Sequence, residues 1–121
     1  MTTVLVVDDS PTELQLCRKI LEKHGYDVES VEDGEHSLEK AQEVEPAVIL
    51  MDVVMPGMNG FQATRQLAKS PQTAHIPVII VTTKDQETDR VWGMRQGARD
   101  YLVKPVREDA LIASVQGALQ G

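Results

Sequence analysis

The sequence predicts a doubly wound α/β domain, a parallel sheet covered on both faces by helices. Three observations carry that expectation. Val4-Leu5-Val6-Val7, Ala47-Val48-Ile49-Leu50-Met51 and Val78-Ile79-Ile80-Val81 are unbroken apolar runs. Strands without polar alternation are strands buried on both sides. Between these runs apolar residues recur at helical spacing, and the two patterns alternate about five times. Such an order calls for right-handed strand–helix–strand crossovers.

Taken in order, the first strand covers Val4 to Val7. Ser10, Pro11 and Glu13 then supply a helix start: a hydroxyl cap, a proline suited to the first helical position and a capping-box acid. Leu14, Cys17, Ile20 and Leu21 share one face of that helix, and Gly25 marks its end. Tyr26 to Val31 reads as a shorter or edge strand, and Glu35 to Glu43 as a helix. Ala47 to Met51 is the third strand. Phe61, Thr64, Leu67 and Ala68 form the inward stripe of the next helix, with Gly57 and Gly60 as turn residues before it. After the strand Val78 to Val81, Gln86 to Arg95 reads as a helix. Its inward stripe is expected at Val91 and Met94 or Arg95, which leaves Trp92 off it. Tyr101 to Val103 is a short fifth strand. Leu111, Ile112, Val115, Ala118 and Leu119 stripe a last helix that runs almost to Gly121. No linker, repeat or low-complexity segment interrupts the chain, so one domain over 1–121 with no output domain is expected.

Composition excludes several function classes. Net charge is −7, from 12 basic and 19 acidic residues. That argues against nucleic acid, which needs clustered positive charge, and against an anionic membrane surface. No apolar run approaches the roughly 18 residues of a membrane span. The start shows no signal-peptide pattern, so a cytoplasmic location is expected. The lone Cys17 has no internal disulfide partner and reads as a small buried hydrophobe. His24, His36 and His75 show no mutual ligand spacing and read as surface or helix-end residues. The five methionines read as packing.

In open α/β sheets ligands bind beyond the carboxyl ends of the strands. Asp8 and Asp9 follow the first apolar run, Asp52 the third, Thr82 the fourth, and Lys104 with Pro105 the fifth. Three carboxylates packed together repel one another, and a small hard cation relieves the repulsion. Magnesium takes one or two carboxylates, keeps several waters and accepts phosphate oxygens. One carboxylate can then attack phosphorus, giving an aspartyl phosphate. Lys104 would pair with a phosphate oxygen as a point charge, and Thr82 would donate a hydrogen bond to another.

The stretches Val6-Val7-Asp8-Asp9-Ser10, Leu50 to Gly60 (LMDVVMPGMNG), Val81-Thr82-Thr83 and Lys104-Pro105 resemble the response regulator receiver family of two-component signalling. The resemblance covers essentially the whole chain. It implies a flavodoxin-like (βα)5 fold of strand order 2-1-3-4-5, an order for which a receiver is itself a standard example. It implies Asp52 as phosphoacceptor, and Asp8, Asp9, Asp52 and the Val54 backbone carbonyl as ligands of Mg2+. It further implies Thr82 and Lys104 as phosphoryl-binding residues, Tyr101 as an aromatic switch that turns inward as Thr82 moves, and a cis Lys104–Pro105 bond. A sensor histidine kinase is the implied donor. A downstream motor or regulatory protein could dock on the face of Trp92, Tyr101 and the last helix. The chain would be a monomer or weak dimer. Among receivers, the stretches 60–67 and 81–89 resemble stand-alone members of the chemosensory system that controls type IV pilus twitching motility.

Two positions depart from the common pattern. Residue 83 is threonine where many receivers carry alanine, which would slow the Thr82–Tyr101 rearrangement. Residue 54 is valine where some relatives place a polar residue that helps water attack the phosphate. The alternative is a magnesium-dependent aspartyl-phosphate phosphatase or phosphotransferase. Such enzymes usually place a general-acid aspartate two residues after the nucleophile, where this chain has Val54, and no substrate-capping insertion is apparent. A receiver that never takes phosphate is a third reading, opposed by the intact Asp8, Asp9, Asp52, Thr82 and Lys104 set.

Overall fold

The structure is a computed structural model that describes residues 2–121. Strands β1 (Thr3–Val7), β2 (Asp27–Val31), β3 (Val48–Met51), β4 (Val78–Thr82) and β5 (Asp100–Val103) alternate with helices α1 (Pro11–Lys23), α2 (Ser37–Val44), α3 (Gly60–Lys69), α4 (Glu87–Arg95) and α5 (Glu108–Leu119). The strands form one parallel sheet in the order β2-β1-β3-β4-β5. This is the doubly wound fold that the resemblance implies.

The unbroken apolar runs have a direct cause. Successive side chains of a strand point to opposite faces. Val4, Val6, Val48 and Leu50 therefore pack with Leu21, Leu111, Ile112 and Val115 of α1 and α5. Leu5, Val7, Ile49 and Met51 pack the other way, against Ala41, Ala63 and Leu67 of α2 and α3. Both faces are covered, so neither set of alternate positions tolerates a polar residue.

Helix α1 starts at the expected place but with half of its capping box. Ser10 Oγ accepts the Glu13 N–H at 3.3 Å. Glu13 does not return the bond, because the Ser10 N–H is already donated to Asp8 Oδ1 at 3.0 Å. Gly25 ends the helix region with φ +90. At α3 the box is complete, with Asn59 and Gln62 exchanging backbone-to-side-chain bonds of 3.0 Å each. Gly57 is a turn residue with φ +74, whereas Gly60 is the first residue of α3.

Three helix stripes differ from expectation. In α3 the inward residues are Gly60, Phe61, Ala63, Thr64 and Leu67, and Ala68 is exposed. The small Gly60 and Ala63 on the line Gly60–Ala63–Leu67 let the helix sit close to the sheet. In α5 Ala118 closes the stripe, and Leu119, about 100° further round the helix, is exposed. The largest correction is α4. Val91, Trp92, Met94 and Arg95 are all exposed, and Gly93 and Gln96 are buried. The helix descends on its smallest residue: a Cβ at Gly93 would stand 2.9 Å from Ile80 Cδ1. No bulky side chain fits on that line.

His36 precedes α2 and makes a testable ion pair. Its Nδ1 lies 2.7 Å from Asp33 Oδ1, and its backbone N–H also donates to that oxygen at 2.8 Å. The side-chain bond to Asp33 raises the imidazole above its ordinary 6.5. The backbone bond, with the side-chain bond, lowers Asp33 below 3.8. A histidine with a raised folded pKa contributes fully below 6.5 and loses that contribution as pH rises through the folded value. Asp33 contributes above 3.8 and loses it as pH falls through its own lowered value. The pair is therefore strongest between those two reference values. An NMR titration of the His36 ring is expected to show a midpoint above 6.5 that returns toward 6.5 in Asp33→Asn.

Candidate phosphoacceptor site

Register brings the chemical residues together. Val7 pairs with Met51, so Asp8 and Asp52 leave the sheet side by side, and the Asp52 N–H donates to the Val7 carbonyl at 2.9 Å. Thr82 pairs with Val103, and the Lys104 N–H donates to the Thr82 carbonyl at 2.8 Å. The Lys104–Pro105 bond is cis, as expected.

One carboxylate oxygen from each of Asp8, Asp9 and Asp52 lies within 4.8 Å of the others. Asp8 and Asp52 are buried and Asp9 is exposed. The Lys104 ammonium donates to Asp8 Oδ2 at 2.8 Å and stands 3.9 Å from Asp52 Oδ2. Asp52 Oδ1 accepts the Val53 N–H at 2.8 Å. Burial pushes the Asp52 carboxyl above its ordinary range, against the pull of Lys104 and with the push of Asp8. Burial also works against the Lys104 ammonium, but the Asp8 bond and the charges of Asp52, Asp8 and Glu13 outweigh it, so Lys104 titrates above 10.5.

The sequence marks Glu13 only as a helix-start residue. Its Oε2 lies 3.8 Å from Lys104 Nζ, which makes it a fourth carboxylate at the site. Its place one turn into a helix that begins beside Asp8 and Asp9 is the signal that could have found it. The Ser10 N–H is engaged with Asp8, so the Glu13 side chain turns toward the cation instead.

Thr82 is fully buried, and its hydroxyl accepts the Lys84 N–H at 3.4 Å. Thr83 is exposed. Val54 is also exposed, next to buried Val53 and Met55. Tyr101 stands inward: it is 2% exposed, and its hydroxyl donates to the Lys84 carbonyl at 2.8 Å. Trp92 is half exposed in a groove with Asn59, Phe61, Arg65 and Gln96, on the α3 side of α4. It does not form one continuous face with Tyr101, because the tyrosine ring is inside. Cys17 is partly buried. Burial pushes its thiol up to about 11, and Asp8 adds to the shift, which leaves it protonated and unreactive at neutral pH.

The chain matches the response regulator receiver domain over residues 4–116. The chain belongs to the response regulator receiver family. This receiver is 58% identical over 121 residues to Protein PilH of Pseudomonas aeruginosa, covering the whole of both chains. It is 41% identical over 113 residues to response regulator PleD of Caulobacter vibrioides, covering 93% of this chain and 25% of that protein. Among solved structures it resembles the Vibrio cholerae chemotaxis protein CheY4, with a TM-score of 0.92 and 35% identity over 98% of this chain and 99% of that one. It also resembles the receiver domain of sensor histidine kinase PA1611 from Pseudomonas aeruginosa, which holds a magnesium ion in its active-site cleft. That match has a TM-score of 0.91 and 28% identity over 99% of this chain and 98% of that one.

The residues of this receiver fit such an ion. Asp8, Glu13 and Asp52 stand within 3.9 Å of one ammonium, Lys104, and Asp9 adds a further carboxylate beside Asp8 and Asp52. The donors are all oxygens, two of the carboxylates are on buried side chains, and the negative excess suits a divalent hard cation.

Proposed function

We propose that this receiver accepts a phosphoryl group on Asp52 from the phosphohistidine of a sensor histidine kinase. Mg2+ is its cofactor, held by Asp8, Asp9, Asp52 and the Val54 backbone carbonyl. The observation that carries the reading is the Lys104 ammonium between Asp8 at 2.8 Å and Asp52 at 3.9 Å, beside three mutually close carboxylates. When bound, the magnesium supplies positive charge that offsets the phosphoryl oxygens.

A carboxylate oxygen of Asp52 attacks phosphorus in line. The new O–P bond forms as the P–N bond to the kinase phosphohistidine, protonated on its other ring nitrogen, breaks; the bonding pair goes to the ring, and the histidine leaves as neutral imidazole. Lys104 exchanges part of its contact with Asp8 for a phosphoryl oxygen. The Thr82 hydroxyl gives up the Lys84 N–H and donates to another oxygen. Receivers are signalling proteins, and any catalysis here is confined to the chain's own phosphorylation and dephosphorylation.

The chain works as a single domain in the chemosensory control of type IV pilus twitching motility, by its likeness to PilH over the full length of both chains. It signals by a changed surface around α4, β5 and α5, or it drains phosphate as a sink. A signalling role requires partner affinity to change on phosphorylation. A sink requires fast transfer and turnover with constant affinity.

The test is incubation with phosphoramidate and Mg2+, read by intact mass and by fluorescence of Trp92, the only tryptophan. A gain of one phosphoryl group that chelator prevents is expected. No gain in the presence of Mg2+ would remove the proposal.

Val54 bears on the phosphoryl lifetime. Its exposed apolar side chain cannot orient a water by hydrogen bonding. A polar side chain there would position the attacking water. Val54→Asn is therefore expected to shorten the lifetime of phosphorylated Asp52 several-fold, measured by decay of the added mass after the donor is removed. An unchanged or longer lifetime counts against this role.

A further inference from the structure

We propose that Arg90 and Gly93 of α4 are positioning residues that hold the Tyr101 ring inward, so that the chain's own packing sets where this ring sits. The inference stands apart from the phosphoacceptor reading and does not depend on it.

Gly93 makes the slot. A Cβ there would stand 3.1 Å from both Cδ2 and Cε2 of Tyr101 and 2.9 Å from Ile80 Cδ1. The ring cannot move deeper into the core, because Ile80, Val53, Phe61 and Ala98 pack with it as one buried cluster, so a methyl group at residue 93 would push it outward. Interiors packed at that density do not absorb an extra methyl without displacement.

Arg90 closes the slot. Its guanidinium carbon lies 5.3 Å from the ring centroid, within range of a cation–π contact. Its Nη1 also donates to the Tyr101 carbonyl at 3.2 Å. One side chain thus grips both the ring and the backbone of the same residue. The far end of the ring is tied by the hydroxyl bond to the Lys84 carbonyl, and the N–H of Lys84 is donated to the Thr82 hydroxyl. The ring, the β4–α4 connection and Thr82 therefore form one connected unit. A phosphoryl group on Asp52 could move Thr82 without first having to bring the ring in.

The test uses a Tyr26→Phe background, which leaves Tyr101 as the only tyrosine. Burial raises the Tyr101 phenol to about 12; Asp89 and Asp85 add to the shift and Arg90 opposes it. Ultraviolet phenolate absorbance of the unphosphorylated chain is expected to give that midpoint. In Gly93→Ala the midpoint is expected to fall toward the ordinary 10. Arg90→Ala separates two roles by sign. If Arg90 acted only as a nearby charge, its removal would raise the midpoint; release of the ring lowers it. At neutral pH, NMR contacts between the Tyr101 ring and the Ile80 methyl are expected in the unmodified chain and lost in both variants, while circular dichroism shows helix content retained. An unmodified chain titrating near 10 overturns the inference. So do variants that keep the ring contacts and a midpoint at or above 12.

Discussion

Asp52→Asn is expected to abolish phosphorylation completely: no mass gain from phosphoramidate and Mg2+ at any donor concentration. Asparagine keeps the shape of the side chain but offers no anionic oxygen to phosphorus. Neighbouring carboxylates do not substitute. Asp8 is already engaged by Lys104 at 2.8 Å and by the Ser10 N–H at 3.0 Å, and Asp9 is exposed. The same variant is expected to be more stable than the parent when metal is chelated. Burial is the main cause that pushes the Asp52 carboxyl up, so its charged form is the disfavoured one in the fold. An acid with a raised folded pKa binds its proton more tightly when folded, so it adds stability as pH falls and costs stability once ionised. The amide removes that cost. Lys104 keeps its shorter partner, Asp8. Thermal melts in chelator at neutral pH should place Asp52→Asn above the parent, and added Mg2+ should close or reverse the gap. A variant that gained phosphoryl mass would sink the proposed role of Asp52, and one that melted lower in chelator would show that the carboxylates are not in conflict.

Gly60→Ala is expected to lower stability by about 1–3 kcal/mol or somewhat more, the usual range for overpacking. Alanine normally favours a helix over glycine by about 1 kcal/mol. Here that gain is overridden. A Cβ on Gly60 would collide with the Asp52 carbonyl oxygen and would stand 2.7 Å from the Asp52 carbonyl carbon and 2.8 Å from Val53 Cα. These are backbone atoms at the end of β3, so they cannot turn aside as a side chain would. The start of α3 must lift, and the Gly60 N–H bond to the Val53 carbonyl, at 3.0 Å, goes with it. Because that backbone carries Asp52, phosphorylation should slow as well. Gly117→Ala is the matched control. It lies inside α5, and a methyl group there would meet nothing within 4 Å, so the change is expected to stabilise by roughly 0.5–1 kcal/mol. Urea unfolding of the two variants checks both signs. Equal effects would show that close approach at residue 60 is not the cause.

Much of this protein was legible before folding was considered, and the reason is periodicity. A strand buried on both faces must be apolar at every position, so β1, β3 and β4 announce themselves, and the residues just after them are placed at one sheet edge by topology alone. That is why Asp8, Asp9, Asp52, Thr82 and Lys104 could be grouped from the chain, and the structure does bring them to that edge. Helix faces were less legible where size mattered more than polarity. Helical spacing pointed α4 inward at Val91 and Met94 or Arg95, yet the helix rests on Gly93, because only a residue without a side chain lets it approach Ile80 and Tyr101. Side-chain choices between two partners were not legible at all. Glu13 could cap its own helix or face Lys104, and only the prior claim of Asp8 on the Ser10 N–H decides it. Local pattern therefore determined the elements and the identity of the clustered groups, since both depend on residues near in the chain. Tertiary packing alone decided the inward Tyr101, the exposed Trp92 and the fourth carboxylate, since each depends on how closely distant segments approach.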